Sequence, residues 1–337
     1  MNHRISDIGE FNLIEHIARI VGVPTADDII VGIGDDTAVL RWDAETCLLA
    51  TIDAQVEAIH FQRDFLTPEA LGHRALAVNL SDIAAMGGTP WLALVSLVAP
   101  PETPVAFIEA LYTGMQRLAA SAGVAIVGGN MSKGAHLVID IAVLGRVARR
   151  HLLLRRGARP GDLLCVTGTL GDAAGGLQLL LNPTLPLDEE SRRPLLNRFR
   201  TPTPRLAESR LIAASGHATA MLDISDGLSS DIMHLCRASG VGVRIDAARL
   251  PISPALRPLA AHIDTPAWHL ALHGGEDYEL CFTLAPHAVE SVAHRVFTTT
   301  GTPITVIGEI RPAEEGCLVR TPDGCETPLE PKGWRHF

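Results

Sequence analysis

Apolar and polar positions follow two different periods along this 337-residue chain, and both halves carry both periods. Over residues 10–20, Phe11, Ile14 and Ile17 recur at helical spacing, with Leu13 and Ile20 beside them. Between Thr67 and Met86 the stripe Leu71, Ala75, Val78, Asp82 and Met86 predicts a second helix. Thr67 is its cap, Pro68 its first position, and Gly87-Gly88 its stop. A third helix is predicted over 104–122. Short apolar runs predict strands at 31–34 running into Asp35-Asp36, at 47–52 ending at Asp53, and at 91–98. Two more, 124–127 and 137–147, flank a predicted turn at Gly128-Gly129-Asn130.

The second half opens with a strand over 163–167 and a helix from Asp172 to about Leu181. A Pro-rich connection through Pro202 and Pro204 follows. A strand over 220–224 feeds a helix over about 226–238. Residues 270–273 lead into Gly274-Gly275-Glu276-Asp277, and 278–283 is a strand. Alternating strands and helices predict α/β or α+β architecture.

Length suggests two domains of ordinary size. The boundary is expected between Val147 and Gly161, where Arg149, Arg150, Arg155, Arg156 and Arg159 cluster before Pro160-Gly161. This gives an N-terminal domain over 1–148 and a C-terminal domain over 149–337. Apolar residues make up 47% of the chain, which excludes global disorder. The formal charge of −10 argues against a nucleic-acid partner held by a broad basic face. No apolar run approaches the roughly 18–20 residues of a membrane span, and the N-terminus lacks a secretory apolar segment, so a soluble cytoplasmic protein is expected. The six cysteines form no C-x-x-C pair, so neither zinc nor a disulfide framework is indicated.

Candidate chemistry lies in Asp36, Asp53, Asp82, Asp223 and Asp226. Each ends an apolar segment or sits on an apolar helix face, with no Lys or Arg next to it in sequence. Such carboxylates are oxygen ligands for hard cations, and Mg²⁺ is the usual choice where phosphates are held as well. Asp82 on its apolar stripe would be costly to bury alone. A cation resolves that cost, and so does a hydrogen bond to backbone or to Ser81. In Asp223-Ile224-Ser225-Asp226-Gly227, a strand meets a helix start, where free N–H groups favour anions. Ser225 or Asp226 as a plain helix cap is the competing reading, and Gly227 would allow a close approach to phosphate. Gly274-Gly275-Glu276-Asp277 is open to a site loop or an ordinary turn. His60 is open to a substrate contact or a surface histidine. The chain has no G-x-x-x-x-G-K-[ST] loop, no protein-kinase set, no complete dinucleotide fingerprint and no G-x-S-x-G.

Taken in order, GEF at Gly9, GIGDDTAVL at Gly32, ALAVNLSDIAAMGG at Ala75, LDISDGLSSD at Leu222, GGEDYELCFT at Gly274 and GWRHF at Gly333 span nearly the whole chain. In these strings the chain resembles the thiamine-monophosphate kinases, of the superfamily that includes aminoimidazole ribonucleotide synthetase. The resemblance implies an N-terminal mixed sheet with helices on one face, closing a barrel with a second subunit in a homodimer, and a C-terminal α/β domain. It implies transfer of the γ-phosphoryl of ATP to thiamine monophosphate, giving thiamine diphosphate, with several Mg²⁺ ions and no covalent protein nucleophile. Carried over, Asp36, Asp53, Asp82, Asp223 and Asp226 are metal ligands, with Thr51 a weaker one. Gly129, Asn130, Arg155 and Ser225 meet ATP, and His60, Glu276 and Trp334 meet the acceptor. Trp334 would stack on a cationic ring.

Two positions depart from the family pattern. Asn130 stands where an acid is frequent, and Ile52 where a hydroxyl is usual, which touches the number of metal ions. Other readings are another enzyme of the superfamily or a non-catalytic nucleotide-binding protein. A hydrogenase-maturation dehydratase would end in a reactive Cys, whereas this sequence ends His336-Phe337. A selenophosphate synthetase would carry an early Cys beside a Lys, and none precedes Cys47.

Overall fold

Thr67 accepts a hydrogen bond from the Ala70 N–H, and Pro68 follows it, so the central helix of the first half starts where sequence places it. The computed structural model describes residues 4–22 and 26–334; Arg335, His336 and Phe337 of the final GWRHF string lie outside the described residues. In order, the first half holds α1 (Ile5–Ile8), α2 (Glu10–Val21), β1 (Ile29–Val31), β2 (Ala38–Arg41), β3 (Thr46–Val56), α3 (Pro68–Ala85), β4 (Thr89–Ala99), α4 (Val105–Ala122), β5 (Ala125–Lys133) and β6 (Val138–Ala148). The six strands form one mixed sheet in the order β1-β2-β3-β6-β4-β5, with β4 and β5 parallel. α3 and α4 lie together on one face. Gly72 and Gly114 permit their approach, because a Cβ at either would come within 1.9 Å of a carbonyl oxygen on the other helix.

The second half holds β7 (Leu163–Thr167), α5 (Asp172–Leu181), α6 (Glu189–Arg200), α7 (Leu206–Ala214), β8 (Ala218–Asp223), α8 (Leu228–Ser239), β9 (Gly242–Asp246), α9 (Leu256–His262), α10 (Ala267–His273), β10 (Leu280–Leu284), α11 (Val289–Thr300), β11 (Ile304–Arg311), β12 (Cys317–Arg320) and β13 (Glu326–Pro328). Its seven strands run β13-β12-β9-β11-β7-β10-β8. The architecture is the expected α/β one, built on two mixed sheets. One apolar core joins them: Leu76, Ile83 and Met115 of the first half pack in the same cluster as Met221, Leu280 and Phe282 of the second.

Three local expectations are corrected. Gly128-Gly129-Asn130 is not a turn; it lies inside β5, paired residue by residue with β4. Gly129 belongs there because a Cβ on it would meet the Val95 carbonyl oxygen at 1.7 Å. β3 does not end at Asp53 but runs three residues further, paired with β6 to Val56. The Pro-rich connection contains α6, which tolerates Pro194 at its sixth position, beyond the first turn. Asp188 caps that helix by accepting from the Ser191 N–H.

Candidate active site

Asp36, Asp82 and Asp223 come from the β1–β2 connection, α3 and the end of β8, and one oxygen from each lies within 4.8 Å of the others. Three carboxylates this close repel one another unless a cation or protons sit among them. Thr51 Oγ1 donates to Asp82 at 2.5 Å, and Ser81 Oγ donates to Asp223 at 2.5 Å. Ser81 therefore serves Asp223, not its sequence neighbour Asp82. Among the described residues, one buried oxygen of Asp36 has no hydrogen-bond partner, while the other accepts from Arg155 Nε at 3.1 Å and Nη2 at 2.5 Å. Arg155 is thus the cation that sequence adjacency does not show. Burial first, then the neighbouring carboxylates, push Asp82 well above the usual carboxylate range and Asp223 up to about 7. Asp53 is pushed up to about 6, by burial and by Asp140, Glu276 and Asp226 against a hydrogen bond with Asp82. Asp35 rises to about 7 by burial and by Asp36 beside it, although it accepts from the Arg155 N–H.

A hard divalent cation fits this set. The donors are carboxylate and hydroxyl oxygens, and the bare buried oxygen of Asp36 is the mark of a ligand position.

The cluster lies on the wall of a cavity of about 1020 Å³ lined by residues of both halves. Thr51, Asp53, Asp226, Ser225, Arg155, His60, Glu276 and Trp334 line the same cavity. Strand alternation puts Thr51 and Asp53 on the α3 face of β3 and Ile52 on the opposite face, 64% exposed. Gly129 and Asn130 do not line the cavity of their own chain. The register sets Asn130 beside Ser96, in line with Asp140 and Ala54, on the sheet face opposite Asp53. It also lies three strand spacings, about 14 Å, from β3.

Three distant strings converge by backbone contact. The Glu276 N–H donates to the Ser225 carbonyl at 2.7 Å, and the Trp334 N–H donates to that of Asp226 at 3.0 Å. A Cβ on Gly275 would collide with the carbonyls of Ser225 and Asp226, and one on Gly333 with that of Asp226, so both glycines permit this approach. Gly227 has φ 121°, and a Cβ there would meet the His273 carbonyl oxygen at 2.7 Å. What the glycine permits there is the close approach of the His273 and Gly274 backbone. Neither Ser225 nor Asp226 caps α8; Gly227 occupies that position without a side-chain bond.

Asp231 was not found by sequence reading. One of its oxygens accepts from the N–H groups of Ser225, Asp226 and Gly227 at 3.1, 3.2 and 3.0 Å, so those donors are already used. The available signal was an acid in the first turn of a helix that follows a loop rich in donors. Arg74 was missed too. Its signal was a cation at i+3 from Leu71 and i−4 from Val78, on the apolar face of α3.

Residues 34–147 match the family of the AIR synthase related protein N-terminal domain, and residues 159–319 match that of its C-terminal domain. The chain is 37% identical to the thiamine-monophosphate kinase of Bacillus subtilis, over 97% of this chain and 99% of that one. It is 38% identical to that of Escherichia coli K12, over 98% of each. Among solved structures it is similar to AaThiL complexed with AMPPCP and TMP, with 36% identity, a TM-score of 0.87 and full coverage of both chains. A likeness to the Escherichia coli hydrogenase maturation protein HypE, at 22% identity, TM-score 0.71 and coverage of 96% of this chain and 97% of that one, is one of fold alone.

Proposed function

The chain belongs to the thiamine-monophosphate kinase family of AIR synthase related proteins, and from that premise we propose that it phosphorylates thiamine monophosphate with ATP. A terminal phosphate oxygen of the acceptor attacks the γ-phosphorus of ATP. The bond from that phosphorus to the bridging oxygen breaks, giving ADP and thiamine diphosphate. The observation that carries this reading is the meeting of Asp36, Asp82 and Asp223 on one wall of a cavity with room for two ligands.

Mg²⁺ is the fitting cation, and more than one ion is expected. Asp36, Asp53, Asp82, Asp223 and Asp226, with Thr51 Oγ1, are the ligands we assign. Bound ions would offset the repulsion between the two phosphate chains and stabilise charge as the phosphoryl group moves. Arg155 approaches the ATP phosphates from the Asp36 side, and Ser225 lies on the same loop as Asp226. His60, Glu276 and Trp334 are assigned to the acceptor. The His60 ring is fixed by accepting from the Val56 N–H at 3.0 Å. No side chain has to act as a nucleophile.

A homodimer is part of the reading. The sheet face away from α3 and α4 carries the apolar row Ile52, Ala142 and Leu94, with Ile52 64% and Leu94 44% exposed. β5 is an edge strand that pairs only with β4 among the described residues, and such edges are usually covered. A second copy closing over this face is also the arrangement in which Gly129 and Asn130 would reach a site. Residue 148, the end of the first sheet, remains our division between domains.

The test is product identification. Protein with Mg²⁺ and ATP is offered thiamine monophosphate, thiamine or an aminoimidazole precursor. Thiamine diphosphate and ADP in equal amounts from the first acceptor alone is the expected result. Turnover of another acceptor only would replace this reading.

A further inference from the structure

Arg74 is fully buried on α3, two turns before Asp82. A guanidinium is taken out of water only when its donors are met. Nε donates to Gln55 Oε1 at 3.2 Å, Nη1 to the Phe199 carbonyl at 2.6 Å, and Nη2 to a carboxylate oxygen of Glu276. The guanidinium also lies over the Phe199 ring, 4.5 Å from its centroid. Arg74 therefore ties together β3, α6 and the loop after α10. The Glu276 side chain keeps 28% of its surface accessible and lines the cavity. Its Arg74-bonded oxygen also accepts from Tyr278 Oη at 3.2 Å. Its backbone sits at φ 72°, in the left-handed region, so the loop needs an external hold.

Phe65, Phe199 and Leu177 are among the residues that line the cavity with Glu276, and the Arg74 guanidinium covers the Phe199 ring. A carboxylate held against aromatic and aliphatic walls attracts an organic cation and repels a polyphosphate. Accordingly, we propose that Arg74 is a positioning residue for acceptor recognition. It holds the Glu276 carboxylate in one orientation, aimed at a cationic heteroaromatic acceptor, and has no part in holding ATP. This deepens the kinase reading and rests on it.

The experiment is a double-mutant cycle on the full-length protein with Arg74→Met, Glu276→Gln and both together, and with Arg74→Lys as the conservative variant. KM for thiamine monophosphate, KM for ATP, kcat and thermal midpoint are measured for each. Loss of a hydrogen bond to a charged group corresponds to about a tenfold change. Arg74→Met should raise the acceptor KM by about that factor and leave the ATP KM within about twofold. Arg74→Lys should recover most of the loss, because it keeps a charge for Glu276. In the Glu276→Gln background, Arg74→Met should add almost nothing to the acceptor KM. Equal increases in both KM values, or additive effects, would mean that Arg74 only braces the two halves. Should Arg74→Met fail to fold, Glu276→Gln still decides: an unchanged acceptor KM leaves Arg74 nothing to position and overturns the proposal. Wild-type turnover separates the two levels, since its absence would remove the kinase reading, whereas normal turnover with unselective variants would remove only this one.

Discussion

Asp82 is buried beside Asp53, Asp223 and Asp36; burial first and those charges next raise its proton affinity, while the hydrogen bond from Thr51 Oγ1 acts the other way. Asp223 at about 7 and Asp53 at about 6 behave alike. Their unfolded values lie near 3.9. Between the two limits the folded, metal-free protein therefore binds more protons than the unfolded chain. These groups then contribute stability that is present at low pH and lost as pH rises through about 6 to 7. Mg²⁺ competes with the same protons. The thermal midpoint of metal-free protein should fall from pH 5 to pH 8, and added Mg²⁺ should raise it more at pH 8 than at pH 5. A Mg²⁺ effect independent of pH would contradict this. Asp82→Asn removes one of the crowded charges. It should make the metal-free protein more stable at pH 8, yet lower kcat by about a hundredfold or more through loss of electrostatic stabilisation. A destabilised variant that keeps its activity would place Asp82 outside the site.

The elements show why some of this was readable in sequence and some was not. α3 announces itself by Thr67, Pro68 and an unbroken apolar stripe, all local signals. Thr67→Ala should cost about 1 kcal/mol of stability in denaturant unfolding, the usual worth of such a cap. β5 was hidden because two glycines in succession read as a turn, whereas here they allow close pairing with β4, a contact no local pattern encodes. α6 was hidden by Pro194. At the loop between β8 and α8 the acids were legible, but the donors they were expected to leave free are taken by Asp231. Asp231→Ala should release that loop. Activity is expected to fall by at least about tenfold, with a higher Mg²⁺ requirement, because three hydrogen bonds to a buried carboxylate fix the backbone bearing Asp226. Unchanged Mg²⁺ dependence would make Asp231 a purely internal support.

In the whole molecule, two sheets meet across one core and place carboxylates from both halves on one cavity. Sequence order identified the strings, but not Arg155 against Asp36 or Arg74 against Glu276, because partners 119 and 202 residues apart meet only through tertiary packing. The apolar row at Ile52 gives a prediction about assembly. Light scattering should report twice the 35.9 kDa chain mass, and Ile52→Lys should shift it toward the single chain. If a second copy brings Asn130 to the site, Asn130→Asp should lower the Mg²⁺ concentration for half-maximal activity in the dimer. An unchanged curve would leave residue 130 as an edge-strand residue only.

The most direct test of the account follows the phosphoryl group itself. Protein, Mg²⁺ and γ-labelled ATP are mixed with thiamine monophosphate and stopped within the first turnovers. The label should appear in the terminal phosphate of thiamine diphosphate, matched by ADP, with none retained on the protein. Label bound covalently to the protein, or released only as inorganic phosphate, would contradict direct transfer across this cavity.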